Sequence, residues 1–243
     1  MIIGLIPSRL NSTRLPKKPL LLIDGLPLIV HTYKRAALAK KIDRVIVCTD
    51  SLQIKNIIEN VGGEAILTKK NHVNGTERIN EVALKLKAEL IIDIQGDEPL
   101  LNPKDIDAVI NFHKQNPQFD IIVPSSPISN PNNPNNVKIV SNSRGEILYM
   151  SRSPIPNSFN SSPKIFLKHL SIISFKKKVL SSFSKMRQSR LEKIEGIELL
   201  RAVENNLSIG TFIIKSSSFA VDVRKDYEKI LTFMPSDPIR KLY

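Results

Sequence analysis

A chain of 243 residues is long enough to bury a sizeable core, and its 41% hydrophobic and 24% charged residues fit a globular protein; no apolar run approaches bilayer length, so membrane insertion is not expected. The net charge of +13 lacks the aromatic partners that nucleic-acid binding uses, since aromatics make up 5% of the chain and tryptophan is absent, so no nucleic-acid partner is expected. The single cysteine, Cys48, excludes an intrachain disulfide and thiolate metal clusters and agrees with a cytoplasmic address, as does a first strand that leaves no room ahead of it for a secretory signal.

Met1 to Ile6 is apolar and reads as a buried strand. Pro7 to Pro19 then bring Arg9, Arg14 and Lys18 into a loop whose path two prolines fix, at the strand end where an open α/β sheet places its ligand. These cations suit phosphate oxygens, although a solvated basic loop has the same composition. Leu20 to Ile23 is apolar and ends at the Asp24-Gly25 turn, and Pro27 starts a helix with Leu28, Ile29, Thr32, Ala36 and Ala37 on one face. Val45 to Thr49 is a second buried strand. Asp50 is expected to cap the next helix in a box with Gln53, and Gly62-Gly63 to stop it. Glu64 to Thr68 is a third strand, so strands and helices alternate as in a parallel sheet.

Asn71 to Arg78 is a polar loop in which Asn74 and Glu77 predict a capping box, and the helix start there offers free N–H groups to an anion or a polar base edge. Simple helix initiation explains the same residues. Leu90 to Ile94 is a fourth, almost wholly apolar strand that ends in Gln95-Gly96-Asp97-Glu98-Pro99. Asp97 there suits magnesium beside phosphates, with Glu98 organising the loop; a turn carrying two acids and no metal is the plain rival. Asn102 caps a helix from Pro103.

Phe119 to Val123 predicts a strand, followed by an extended loop through Asn136 and a hairpin of Val137–Val140 with Glu146–Tyr149. Ser151 to Pro163 is a second polar loop containing Arg152. One strand is predicted over Phe166–Phe175, a helix over Lys176–Lys185, a single helix over Leu191–Leu207 and a strand over Ser208–Ile214. Asp222 ends a further apolar run, a last helix includes Tyr227 and Ile230, and the basic tail beyond Pro235 and Pro238 is expected to be mobile. Neither a dinucleotide glycine fingerprint nor a P-loop is present.

Together these segments resemble the 3-deoxy-manno-octulosonate cytidylyltransferase (CMP-Kdo synthetase) family over nearly the whole length. The resemblance rests on Ser12-Thr13-Arg14-Leu15-Pro16 with Lys18-Pro19, on Gly75-Thr76-Glu77-Arg78, and on Gln95-Gly96-Asp97-Glu98-Pro99. Asn135-Asn136-Val137-Lys138, Ser151-Arg152, Lys168-His169-Leu170, Leu191-Glu192 to Leu200-Arg201, and Val221-Asp222 support it. It implies the nucleotide-diphospho-sugar transferase type of α/β fold. In that fold a mostly parallel central sheet is flanked by helices, with a small antiparallel appendage at 124–175 in a single domain of 1–243.

The implied reaction joins CTP to Kdo, an ulosonic acid, giving CMP-Kdo and diphosphate for lipopolysaccharide synthesis with Mg2+ as cofactor. A cytoplasmic homodimer is implied, to which the 124–175 region contributes. Arg9 and Lys18 fall on the family's triphosphate-binding cations, and Asp97 and Asp222 on its metal carboxylates. Arg14, Gly75, Arg78 and Gln95 fall in nucleotide-side loops, and Arg152, His169, Glu192 and Glu198 in stretches on the sugar side. The chain departs from the family pattern at Lys17, usually glycine, at Asn157, usually aromatic, at Ser171, Ile173 and Ser174, and at Val223-Arg224. The departures gather on the sugar side, which leaves a related ulosonic acid such as 8-amino-Kdo as the near alternative. A catalytically inactive nucleotide-binding protein is more remote, because both metal carboxylates are retained.

Overall fold

The first strand, β1 (Ile2–Ser8), is apolar on both faces and correspondingly buried from Ile2 to Ile6 in the computed structural model. The structure describes residues 1–10, 14–161, 163, 165–215 and 219–243; Ser12 and Thr13 of the opening motif and Ser162 of the second polar loop lie outside them. The chain divides into two units, Met1–Ala108 with Ser217–Tyr243, and Val109–Ser216.

In the first unit, β1 is followed by the short antiparallel pair β2 (Leu22–Ile23) and β3 (Leu26–Pro27), then by β4 (Arg44–Thr49), β5 (Glu64–Leu67) and β6 (Leu90–Ile94). The long strands run parallel in the order β6-β1-β4-β5. Helices α1 (Leu28–Ala37), α2 (Leu52–Asn60) and α3 (Gly75–Ala83) make the crossovers that parallel neighbours require, and α4 (Pro103–Gln115) follows β6. The chain builds outward from β1 to β4 and β5, then returns to lay β6 on the other side of β1. The strand order therefore reverses between β1 and β6, and the carboxyl ends of this pair carry the Pro7–Pro19 and Gln95–Pro99 loops. That is where doubly wound sheets bind ligands.

Two local expectations change in this unit and one holds. Ser51, not Asp50, caps α2, its Oγ accepting the Ile54 N–H at 3.4 Å, because the Asp50 carboxylate is engaged by Arg78 at 3.1 Å. Asn74 does cap α3, with Oδ1 accepting the Glu77 N–H at 2.8 Å, and the Glu77 carboxylate takes the Val73 N–H at 3.0 Å. The tail is ordered: the prolines that end the terminal helix Arg224–Phe233 also begin two 3-10 turns, Met234–Ser236 and Pro238–Leu242. Asp237 between those turns accepts the Arg240 N–H at 3.1 Å and pairs with buried Arg35.

The second unit holds β7 (Ile121–Ile122), β8 (Ser125–Ile128), β9 (Lys138–Ser141), β10 (Ile147–Ser151), β11 (Phe166–His169), β12 (Ile172–Lys176) and β13 (Ile209–Gly210). β10-β9-β11-β8 form the antiparallel layer, while β7 lies between β13, parallel to it, and antiparallel β12. The expected extended loop after Val123 starts as a strand, because β8 pairs with β11; beyond it Asn130 and Asn133 close tight turns through their side chains. The strand expected over Phe166–Phe175 splits at Leu170-Ser171, since β11 and β12 serve different sheets and the chain must bend to change between them. Only Ile209–Gly210 of the expected Ser208–Ile214 strand is regular.

Here α5 is Lys177–Phe183, and the helix expected over Leu191–Leu207 is two, α6 (Arg190–Glu195) and α7 (Leu200–Glu204). Gly196 divides them in a left-handed C-cap at φ 63°, a break that apolar periodicity running through both halves conceals.

Gly96 is required by proximity rather than by its dihedral. A Cβ there would stand 2.8 Å from the Pro7 carbonyl oxygen, a backbone atom that cannot swing aside. Gly96→Ala is expected to lower stability by about 1–3 kcal/mol in urea unfolding, the usual range for overpacking. A variant as stable as the parent would show that β1 and the β6 loop are free to separate.

Candidate active site

The loop after β1 folds through Lys17 in a left-handed conformation, φ 53°, into the turn Lys18–Leu20. Glycine enters that region without strain, which accounts physically for its usual presence at this position in the family pattern. The turn delivers the Lys18 ammonium to two carboxylates, 2.7 Å from Asp97 Oδ2 and 3.3 Å from Asp222 Oδ1. Arg14 donates to the same Asp222 oxygen at 2.8 Å. The backbone fixes this meeting as well, since the Val221 N–H donates to the Asp97 carbonyl at 2.9 Å. Asp226 Oδ2 accepts the N–H groups of Asp222 and Val223, each at 3.1 Å, so the second carboxylate sits on a capped helix start.

Arg9 is exposed at the end of β1 and makes no ion pair among the described residues. Gly75 opens α3 against Pro7, where a Cβ would lie 3.1 Å from the ring, bringing the α3 N-terminus to the first loop. Gln95 is held by the buried Asp93 carboxylate, 3.3 Å from each oxygen. Arg78 is 3% exposed and donates to Thr68 Oγ1 at 2.5 Å, Lys69 O at 3.2 Å and Asp50 at 3.1 Å. Its guanidinium is therefore committed to holding the loop before α3, a task that its place in the motif did not disclose.

In the second unit, Arg152 donates to the carbonyls of Glu195 at 2.8 Å, Pro134 at 2.8 Å and Gly196 at 3.2 Å. His169 lies on β11, and burial pushes its imidazole pKa down, which favours the neutral ring. Glu192 caps α6 in a box with Ser189 and meets Arg201 in a two-pronged pair at 2.6 and 2.8 Å, with Glu198 3.6 Å from the same guanidinium. Burial alone would raise the Glu192 carboxyl, but Arg201 and the Ser189 N–H outweigh it and hold the pKa below the ordinary value.

The family model for cytidylyltransferases matches residues 3–209. The 3-deoxy-manno-octulosonate cytidylyltransferase of Escherichia coli is 36% identical over 96% of this chain and 95% of its own. The enzyme of the same name from Chloroherpeton thalassium is 40% identical over 93% and 94%. A solved CMP:2-keto-3-deoxy-manno-octonic acid synthetase complexed with CTP superposes with a TM-score of 0.93 at 35% identity, covering 97% of this chain and 98% of that one. The chain belongs to the 3-deoxy-manno-octulosonate cytidylyltransferase family. It is thus a nucleotidyltransferase, on the mostly parallel α/β fold with an antiparallel appendage that the resemblance implied.

Within this cytidylyltransferase, two residues that sequence reasoning passed over hold the Arg152 loop. Lys138 is fully buried and its ammonium donates to the carbonyls of Asn133 at 3.1 Å, Asn136 at 2.7 Å and Arg152. Glu195 accepts the Ser151 hydroxyl at 2.6 Å and the Arg152 N–H at 2.9 Å. A lysine amid Val137, Ile139 and Val140 was the available signal, because a cation on a buried strand needs acceptors.

Arg201→Met, which strands the Glu192 carboxylate in the interior, is expected to cost about 3–5 kcal/mol in urea unfolding at pH 7. Because the folded Glu192 pKa is depressed, the pair's contribution is complete above the ordinary carboxylate range and lost as pH falls through the lowered value. The gap between variant and parent should therefore narrow in acid. A gap that stays constant from pH 7 down to pH 3 would contradict the assignment.

Proposed function

We propose that this cytidylyltransferase transfers the cytidylyl group of CTP to the anomeric 2-hydroxyl of free Kdo, giving CMP-Kdo and diphosphate for lipopolysaccharide synthesis. The observation that carries the reading is the meeting of Asp97 and Asp222 on one cation, Lys18 Nζ, in a chain with full-length relatives of that name. The attacking oxygen approaches the α-phosphorus in line with the departing diphosphate; the new P–O bond forms as the α–β bridge breaks. Positioning and charge stabilisation supply most of the acceleration in such transfers. Arg9 and Lys18 hold the outer phosphates and stabilise the charge that builds on diphosphate. Arg14, Gly75 and Gln95 act on the nucleotide side, and Arg78 holds the loop that presents them.

The donor set fits magnesium: Asp97 and Asp222 offer hard carboxylate oxygens already gathered around a positive charge. Asp97 and Asp222 would hold the ion, with the remaining positions left to phosphate oxygens and water, as is usual for magnesium beside phosphates. Bound there, the ion supplies charge neutralisation at the α-phosphate. On the sugar side, Arg152 or His169 takes the Kdo carboxylate, with Glu192 and Glu198 supporting that region through Arg201. A related ulosonic acid such as 8-amino-Kdo is the second reading, favoured by Asn157 and Ser171 on the sugar side. A cytoplasmic homodimer, as the family resemblance implies, completes the proposal.

A matrix of nucleotides against free ulosonic acids with magnesium, followed by diphosphate release, tests the reading: CTP with Kdo should be the best pair, and release only with a sugar 1-phosphate would overturn it. Asp97→Asn should lower turnover by about 10²–10³-fold, the range for losing one preorganised charge-stabilising group, with the melting temperature preserved. Unchanged turnover would remove Asp97 from the metal site. Arg9→Ala should raise KM for CTP more than KM for the sugar, and the opposite pattern would reassign the residue.

A further inference from the structure

Tyr243, His31 and Arg35 form a hydrogen-bond chain. His31 Nε2 lies 2.7 Å from the Ile23 carbonyl oxygen, which only accepts, so that nitrogen carries the proton. In the neutral ring, which burial favours, Nδ1 then accepts the Tyr243 hydroxyl hydrogen at 2.8 Å. The same hydroxyl oxygen accepts from Arg35 Nε at 3.1 Å. His31 and Arg35 are fully buried, and Arg35 is further fixed by Leu101 O at 3.3 Å and by Asp237.

Two more ties run alongside. Arg240 pairs with the Asp24 carboxylate at 2.7 Å and donates to its carbonyl at 3.2 Å, and the Tyr227 hydroxyl donates to Leu22 O at 2.6 Å. Leu22, Ile23 and Asp24 follow directly on the turn that carries Lys18; Tyr227 to Tyr243 follow directly on Asp222. Leu15, Ile23, Leu28, Val221, Ile230 and Met234 form an apolar cluster joining the same two segments. Lys17 and Asp24, on either side of the Lys18 turn, are both left-handed, at φ 53° and 45°. Non-glycine residues keep such conformations only where surrounding contacts fix them.

We propose that Tyr243, His31 and Arg35 are positioning residues for the nucleotide site, tying the segment that carries Lys18 to the segment that carries Asp222 so that the ammonium stands between the two carboxylates. This rests on the functional reading above in taking Lys18 and Asp222 as nucleotide and metal residues. His31 and Arg35 are fully buried, and the Tyr243 hydroxyl is engaged by both. Their effect passes through the backbone of Leu22, Ile23 and Asp24.

The test compares the full chain with Tyr243→Phe, which keeps the ring and loses both hydrogen bonds, and with Arg240→Ala, which cuts the Asp24 tie at the surface. Lys241→Ala, an exposed neighbour, is the control. Hydrogen exchange should quicken at residues 18–27 in both variants and not in β4. KM for CTP should rise about 3- to 10-fold, the worth of one hydrogen bond of ordinary net strength, while KM for Kdo stays within about twofold. Exchange at 18–27 that does not change in Tyr243→Phe overturns the proposal whatever the activity of the parent. Faster exchange with unchanged KM for CTP, or with both KM values rising together, reduces the tail to a structural clasp and also overturns it. A parent enzyme that releases no diphosphate from CTP and Kdo instead overturns the functional reading, and with it the proposal's consequence for CTP, while the exchange comparison still reports whether the tail fixes the Lys18 segment.

Discussion

The contact of one ammonium with two carboxylates is the constraint on which the first unit depends. Asp97 lies in the turn after β6 and Asp222 precedes the terminal helix, and a cation held at a fixed point, with the Val221–Asp97 backbone hydrogen bond beside it, brings them into one site. Lys18 supplies it from a turn entered through a left-handed residue. Two carboxylates left facing each other without that charge would repel. With Lys18 between them the two carboxylates are neutralised in place.

Around that contact the backbone leaves little freedom. Gly96 lets the β6 loop press on Pro7, Gly75 lets the α3 N-terminus press on the same residue, and the Val221–Asp97 hydrogen bond joins the two acidic segments. The second unit solves a different problem, ordering polar loops without apolar packing. It does so with charged groups that bond backbone: Lys138 and Arg152 donate to carbonyls, Glu195 accepts an N–H, and Arg201, paired with Glu192, donates to the Met186 carbonyl. Buried charges of this kind persist only when their hydrogen bonds are complete.

Much of this was legible from the residues. The buried strands β1, β4 and β6 announce themselves as apolar runs, and the polar loops that follow β1 and β6 mark the candidate site in the sequence itself. Caps and breaks were less legible. Asp50 resembles an N-cap as closely as Ser51 does, and only the distant Arg78 decides between them. Gly196 reads as tolerable inside an amphipathic helix, but it caps α6 in the left-handed conformation that glycine adopts without strain. The tail looked mobile because prolines and cations dominate it, while its partners, His31 and Arg35, lie far back in the sequence on α1. Arg78 and Glu192, which the resemblance puts on the ligand side, also form ion pairs inside the protein, with Asp50 and Arg201, and a motif does not encode these.

A thermodynamic cycle over Asp97→Asn, Asp222→Asn and the double variant, read as CTP affinity with and without magnesium by titration calorimetry, tests the shared cation site most directly. If both carboxylates serve one ion, either change alone should abolish most of the magnesium-dependent gain and the double variant should lose little more, a non-additivity expected of groups acting together. Losses that simply add would mean that Asp97 and Asp222 act at separate places, and would contradict the account.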